Sequence, residues 1–357
     1  MIRKLERIFL LFLVFVPITF YFGFFTANPI VTFITSIFAI AALARVIGYA
    51  TNEIVLQTNP TISGLVNATF GNMIELIIAI LALQAGLVRV VQASIIGSII
   101  GNILLLIGLS VLFGGLRYKE QKFNKTAVGI SATMLIIAVA GLLVPTAYAI
   151  TTGAAESSPD VQAVSNAVAI ILAFTYIAGL VFSLFTHKDL FDSSDEIRAV
   201  KEKPTMGLRR ALLIVLIATV FAAVTSEVLV SQVQAVSETI GLTQTFIGIV
   251  IIAIITNIAE KANAIYFSLK NHLDVALEIG LSSGIQISLF VVPILMLAGH
   301  LLNYSFSLVF PIFDIVAVIM AVMIINYLSA DGKCNWLEGV QLLAIYLILI
   351  VAFYFVA

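Results

Sequence analysis

A carboxylate stands alone inside an apolar run from Thr61 to Ala85, in the stretch Gly71-Asn72-Met73-Ile74-Glu75-Leu76. The same arrangement, Asn three residues before Glu, recurs as Thr256-Asn257-Ile258-Ala259-Glu260 within the apolar run from Leu242 to Leu269. A charged side chain at the centre of a bilayer costs at least about 2.5 kcal/mol on the mildest insertion scale, so two of them with matched neighbours point to a functional site. The plainer alternative is a pair of protonated, hydrogen-bonded structural glutamates.

Hydrophobic residues make up 61% of the 357 and charged residues 10%, against roughly half and a quarter in soluble domains. The chain is therefore expected to be an integral membrane protein in contact with a lipid bilayer. Runs long enough to cross about 30 Å of hydrocarbon as helix fall near 8–25, 30–50, 61–85, 90–114, 127–150, 161–185, 211–235, 242–269, 273–300, 305–328 and 336–356. The first follows Arg3, Lys4 and Arg7 as a signal peptide would, but it ends in the bulky Tyr21-Phe22-Gly23-Phe24-Phe25 and lacks a small-residue cleavage site, so it is read as a retained helix. Arg3, Lys4, Arg7, Arg117, Lys119, Lys122, Lys125, the group from Lys188 to Arg210, Lys270 and Lys333 share one side, with Arg89 on the other. The positive-inside rule then predicts a cytoplasmic N-terminus and an external C-terminus. A net charge of −1 offers no basic patch for nucleic acid, and the single cysteine, Cys334, excludes a disulfide framework or a multi-cysteine metal centre.

The polar stretch 186–210 divides the chain. Its first part, from Asp189 to Ile197, has four acids with apolar residues near helical spacing, which fits either a short cytoplasmic surface helix or a solvated connection. The halves on either side echo each other. Thr51-Asn52-Glu53-Ile54-Val55-Leu56 matches Thr225-Ser226-Glu227-Val228-Leu229-Val230; the Asn-x-x-Glu helix follows; then Gly97-Ser98-Ile99-Ile100-Gly101-Asn102 matches Ser282-Ser283-Gly284-Ile285-Gln286. Three matches in one order indicate an internal repeat. With residues 1–29 set aside, the halves 30–185 and 211–357 hold five spans each, and an odd number inverts the second copy. The expected fold is all-α, with eleven transmembrane helices: one extra N-terminal helix plus two inverted five-helix repeats. Secondary transporters are commonly built this way, with a site near the midplane.

On a continuous helix Asn72 shares a face with Glu75, and Asn257 with Glu260. Ser98 with Asn102, and Ser282 with Gln286, do so at a spacing of four; whether Ser282 or Ser283 is the mate of Ser98 turns on one residue of alignment. These carboxylates, amides and hydroxyls include no His or Cys. Such hard oxygen donors suit Ca²⁺, which takes six to eight oxygens, rather than Zn²⁺ or Cu. Interhelical hydrogen bonding is the competing use for the amides and hydroxyls. Carboxylates withdrawn from water and set near each other also hold protons, and two protons carry the charge of one divalent ion. One site could hold either in turn, as coupled exchange requires. Gly64, Gly71, Gly97, Gly101, Gly108, Gly248, Gly280 and Gly284 allow helices to approach or break. Lys261 is read as pairing with a carboxylate or facing an aqueous cavity; Glu53, Glu227, Asp274 and Glu278, near span ends, as interface or pairing residues, with lining of access paths as the alternative; His187, His272 and His300 as solvated. Asp314 is deeper and unassigned. No nucleophile-base pair or H-E-x-x-H motif suggests an enzyme, and no cofactor is expected.

The run from Ser63 to Ile77 with Gly97-Ser98-Ile99-Ile100-Gly101-Asn102 resembles the first repeat motif of the Ca²⁺/H⁺ exchangers of the cation/Ca²⁺ exchanger superfamily. Asn257-Ile258-Ala259-Glu260, Lys270-Asn271 and the run from Ser282 to Phe290 resemble the second. The resemblance implies Ca²⁺/H⁺ antiport by alternating access. In it Glu75 and Glu260 bind Ca²⁺ and H⁺ in turn, with Asn72, Asn257, Ser98, Ser283 and Gln286 as neighbouring ligands. It also implies an acidic helix between the halves, where this chain has five acids (Asp189, Asp192, Asp195, Glu196, Glu202) against six bases (Lys188, Arg198, Lys201, Lys203, Arg209, Arg210). Na⁺/Ca²⁺ exchangers carry Gly-Thr/Ser-Ser-x-Pro-Glu at the equivalent place; Gly71-Asn72-Met73-Ile74-Glu75 has neither hydroxyl nor Pro, which favours protons over Na⁺. A channel is the other alternative, disfavoured by paired sites in inverted repeats. Without a long N-terminal tail the chain is similar to microbial plasma-membrane members rather than vacuolar ones.

Overall fold

The computed structural model describes residues 11–26, 28–187, 190, 204–304 and 306–356. Arg3, Lys4 and Arg7, and all of 189–197 except Leu190, lie outside the described residues. Helix is nearly the only regular structure: α1 Phe15–Phe25, α2 Pro29–Val55, α3 Pro60–Phe70, α4 Met73–Gln84, α5 Val88–Arg117, α6 Lys125–Thr152, α7 Pro159–Thr186, α8 Leu208–Ile240, α9 Gln244–Thr256, α10 Ile258–Ser268, α11 Leu273–Leu302, α12 Ile312–Leu328 and α13 Trp336–Val356. Local chemistry marks several starts. Asn28 and Asn59 accept from Val31 and Ile62 N–H groups, each followed by a proline at the first helical position, where the missing N–H costs nothing. Gly153 and Gly241 end α6 and α8 in the left-handed region.

Among the described residues seven helices are long and apolar enough to cross a membrane, and the bent pair α9–α10 makes an eighth. The protein is a membrane protein. The runs 61–85 and 242–269, expected as single helices, are each broken: the first at Gly71-Asn72, the second at Asn257, where the chain bends by 55°. The run 305–328 is helical only from Ile312.

The chain packs as two compact units, one of Met1–Ser94, Glu202–Ala259 and Val356–Ala357, the other of Ile95–Lys201 and Glu260–Phe355. Each draws on both halves of the sequence. In the first unit α2 lies along α8, with α1, α3 and α9 against α2 and α4 against α8. The α2–α8 seam is alanine-rich: Ala39, Ala42, Ala50, Ala211 and Ala222 are all fully buried, and small side chains are what let two membrane helices close up. In the second unit α6 packs on α7, α11 and α12, and α11 packs on α5. A two-residue antiparallel ladder, β1 (Gln121–Lys122) with β2 (Lys333–Cys334), joins the loops before α6 and α13. Cys334 is buried there, and burial pushes its thiol well above the ordinary cysteine range, with Glu338 and Asp331 adding to the effect.

Helix α13 meets α5 at glycine. A Cβ on Gly339 would lie 2.7 Å from Leu112 Cα and 2.9 Å from Gly108 O, so Gly339→Ala forces backbones apart, an overpacking cost of about 1–3 kcal/mol. Gly129, on α6, has nothing within 4 Å of its would-be Cβ. Gly339→Ala is expected to lower the thermal unfolding midpoint in detergent, whereas Gly129→Ala leaves it unchanged or raises it slightly.

Candidate functional site

Asn72 and Asn257 are not inside helices but at their interruptions. Asn72 has φ −113° and ψ 26°, and Asn257 has φ −96° and ψ 12°, both near the bridge region that a continuing α-helix does not use. The expected face-sharing of Asn72 with Glu75 and Asn257 with Glu260 on one unbroken helix is thereby corrected. Each Asn ends one half-helix, and each Glu lies in the first turn of the next, α4 or α10. That is the positive end of a helix macrodipole, where an anion is favoured. A helix end leaves carbonyls of its last turn without helical partners; at the second break the Asn257 side chain takes one of them, Ala253 O.

The side chains are set by their own surroundings. Asn257 is fully buried and its Nδ2 donates to Ala253 O and Thr256 Oγ1, both at 3.1 Å. Its nitrogen thus serves the preceding turn, and oxygen is the atom whose chemistry suits a hard cation. Asn72 is 3% exposed, while Glu75 and Glu260 are half-buried. In the first unit a cavity lined by Ile37, Ile40, Ile78, Leu229 and three further isoleucines reaches Thr256; its walls are aliphatic and offer an ion nothing.

In the second unit the candidate polar residues sit beside widened turns. A π-helical turn at Gly101–Leu106 interrupts α5 and another at Ile287–Val291 interrupts α11; such turns recur at functional sites because they shift which side chains face a neighbour. Asn102 is the second residue of the first and Gln286 immediately precedes the second. Asn102 Nδ2 donates to Ser283 Oγ at 2.8 Å, with both residues buried. Ser282 is half-buried and its Oγ donates weakly to Ile279 O of its own helix. Of the two serines, Ser283 is the one brought to the first half's motif. Ser98 and Gln286 are also buried. Gly280 makes the approach possible, since a Cβ there would lie 3.1 Å from Asn102 O and closer still to Ile107.

Lys261 is buried, at 6% exposure, rather than facing water. Asp314 is buried in the first turn of α12. Glu227 and Glu278 are exposed, and Asp274 accepts from Asn124 N. His187 stacks on Phe182 at an exposed position, and His300 bonds Asn166. Among the described residues no group of three or more His, Cys, Asp or Glu side chains gathers.

The sodium/calcium exchanger protein family model matches residues 28–185 and 210–355. The chain belongs to that family. Within it the similarity is to proton-coupled members: the chain is 40% identical to the Ca²⁺/H⁺ antiporter of Synechocystis sp. over 98% of both chains. It is also 40% identical to the Ca²⁺/H⁺ antiporter of Aphanothece halophytica, over 98% of this chain and 97% of that one. The solved structure of the Ca²⁺/H⁺ antiporter protein YfkE is 35% identical and superposes with a TM-score of 0.85, covering 98% of this chain and all of that one. The resemblance to Ca²⁺/H⁺ exchangers drawn from the motifs is borne out.

The hydrogen bond between Asn102 and Ser283 generates a test. Asn102→Ala and Ser283→Ala each remove one partner from a buried pair, at a cost of about 1–3 kcal/mol. Because they share one bond, the double variant should lose less stability in thermal unfolding than the two single losses added together.

Proposed function

We propose that this protein is a Ca²⁺/H⁺ antiporter in which Glu75 and Glu260 take Ca²⁺ and protons in turn. The doubled helix break carries the reading: in each half an Asn stands at the interruption and a Glu in the first turn beyond it. Full-length similarity to named Ca²⁺/H⁺ antiporters supports the pair of ions. Asn72, Asn257, Ser98, Asn102, Ser283 and Gln286 are the proposed neutral oxygen ligands, with Ser282 the weakest candidate. Neutral donors matter because two carboxylates cancel a divalent charge, and a further anion would have to be neutralised again on release.

Protons and Ca²⁺ compete for the same oxygens. A Ca²⁺-loaded carboxylate cannot be protonated and two bound protons leave no net charge for the metal, so each ion leaves as the other arrives. The reading extends to architecture: eleven spans, an N-terminal helix and two inverted five-helix repeats working by alternating access in a microbial plasma membrane, with the N-terminus inside and the C-terminus outside. The matched breaks and matched π turns of the two halves support the repeat.

Glu75→Gln and Glu260→Gln keep size but remove charge and titration. Each is expected to reduce pH-gradient-driven Ca²⁺ uptake in vesicles by at least about a hundredfold, the loss of a charge-bearing ligand, with the folded protein still in the membrane. Near wild-type exchange in either variant would remove that residue from the coupling site. Asn72→Ala or Asn257→Ala should weaken Ca²⁺ affinity more than the apparent proton affinity, since an amide ligates but does not titrate; equal changes would indicate a structural role.

The ion pair itself is tested by linkage. Where the metal must displace protons, apparent Ca²⁺ affinity rises as pH rises, and saturating Ca²⁺ releases protons. Replacing Na⁺ by choline at constant pH should leave the flux unchanged. A pH-independent affinity, or a flux that needs Na⁺, would overturn proton coupling.

A further inference from the structure

Glu53 and Glu227 hold matched places in the two halves, Thr51-Asn52-Glu53 and Thr225-Ser226-Glu227, yet their surroundings differ. Glu227 is exposed on α8. Glu53, near the end of α2, is 4% exposed and grips the far end of the polar stretch that divides the chain. Its Oε2 accepts from Thr205 N at 2.8 Å and Met206 N at 3.3 Å, and its Oε1 accepts from Thr205 Oγ1 at 3.0 Å. One turn earlier the Tyr49 hydroxyl lies 2.6 Å from Thr205 Oγ1, and one turn later Gln57 Nε2 donates to Met206 O at 2.9 Å. Tyr49, Glu53 and Gln57 are four residues apart, so they form a single stripe along α2. Between them they satisfy two N–H groups and one carbonyl of a dipeptide.

The seat has an apolar floor. Met206 packs on the buried cluster of Ala50 and Ile54 from α2 and Ala211 and Val215 from α8. Helix α8 itself begins with no cap of its own: Gly207 has no side chain to offer and no acid stands in the first turn. Elsewhere in the chain a local Asn or Ser does this work, as Asn28, Asn59 and Ser158 do for α2, α3 and α7. Here the anion that holds the N–H groups leading into the helix comes from another helix. A buried carboxylate accepting three hydrogen bonds is a strong fastening, because charge-assisted bonds are about twice as strong as neutral ones.

We propose that Glu53 is a positioning residue of the exchange cycle. It fastens the end of the 186–210 segment, and with it the start of α8, to the last turns of α2, so that the segment between the halves bears on transport rate without touching the ion. The proposal rests on the exchange activity above, but its first readout, taken on the purified protein, does not depend on which ions are carried.

That readout is hydrogen exchange at the Thr205 and Met206 amides. Glu53→Gln cannot accept at both oxygens, and loss of a charge-assisted bond makes local opening about tenfold or more easier, so these amides should exchange faster by about that factor. In vesicles the same variant should carry Ca²⁺ more slowly at saturating Ca²⁺, with half-saturation within about twofold of wild type. Thr205→Val, an exposed position outside the apolar runs, should show the same pattern more weakly, and the double variant should be no slower than Glu53→Gln alone. Unchanged amide exchange would overturn the fastening, and faster amide exchange with an unchanged transport rate would overturn the positioning role. A large change in half-saturating Ca²⁺ at unchanged amide exchange would instead place Glu53 on the ion path. Should Glu53→Gln not fold, Thr205→Val decides by the same two measurements.

Discussion

A backbone inside hydrocarbon has no water to bond, so every N–H and C=O must find a partner within the protein. The helices answer this automatically; the interruptions at Gly71-Asn72 and Asn257 do not. They persist where neighbouring helices shield them, which is why both asparagines are buried, and why Asn257 bonds back to the preceding turn. In the proposed function the interruption and the ion site are one arrangement. A helix N-terminus and a carboxylate in its first turn are brought together by a single departure from helical geometry.

Much of this was legible in the residues. Glu75 and Glu260 stood out because an ionisable group in an apolar run costs too much to be incidental, and Ser98 with Asn102, and Ser282 with Gln286, fell on one face each by simple helical spacing. Hydropathy could not show that the runs 61–85 and 242–269 are broken, because a break one or two residues long leaves the mean polarity of the window unchanged. The clue was the asparagine, a weak helix former that tolerates the bridge region, which the spacing argument treated as an ordinary helical position. Lys261, read as pairing with a carboxylate or facing an aqueous cavity, is buried, which leaves the first alternative standing. The choice between Ser282 and Ser283 needed coordinates, since it turned on which serine reaches Asn102 across the helix pair.

Glu53 is the residue that pattern reading undervalued. Its match with Glu227 invited a shared interface role, yet one is buried under a dipeptide of the connecting stretch and the other is exposed. The end of the 186–210 stretch meets α2 at Glu53, whereas Glu227 is left exposed on α8.

The half-helices raise a matter of biogenesis. α3 and α4 have 11 and 12 residues, or about 17 and 18 Å at 1.5 Å per residue, each well short of the roughly 30 Å core. Neither can hold its place across lipid by itself, and the break between them would lie naked there until a protein surface covers it. For α4 that surface is α8, whose first residue comes more than a hundred positions later in the chain. The surface that covers the half-helix carrying the first carboxylate is therefore made only with the second half of the chain.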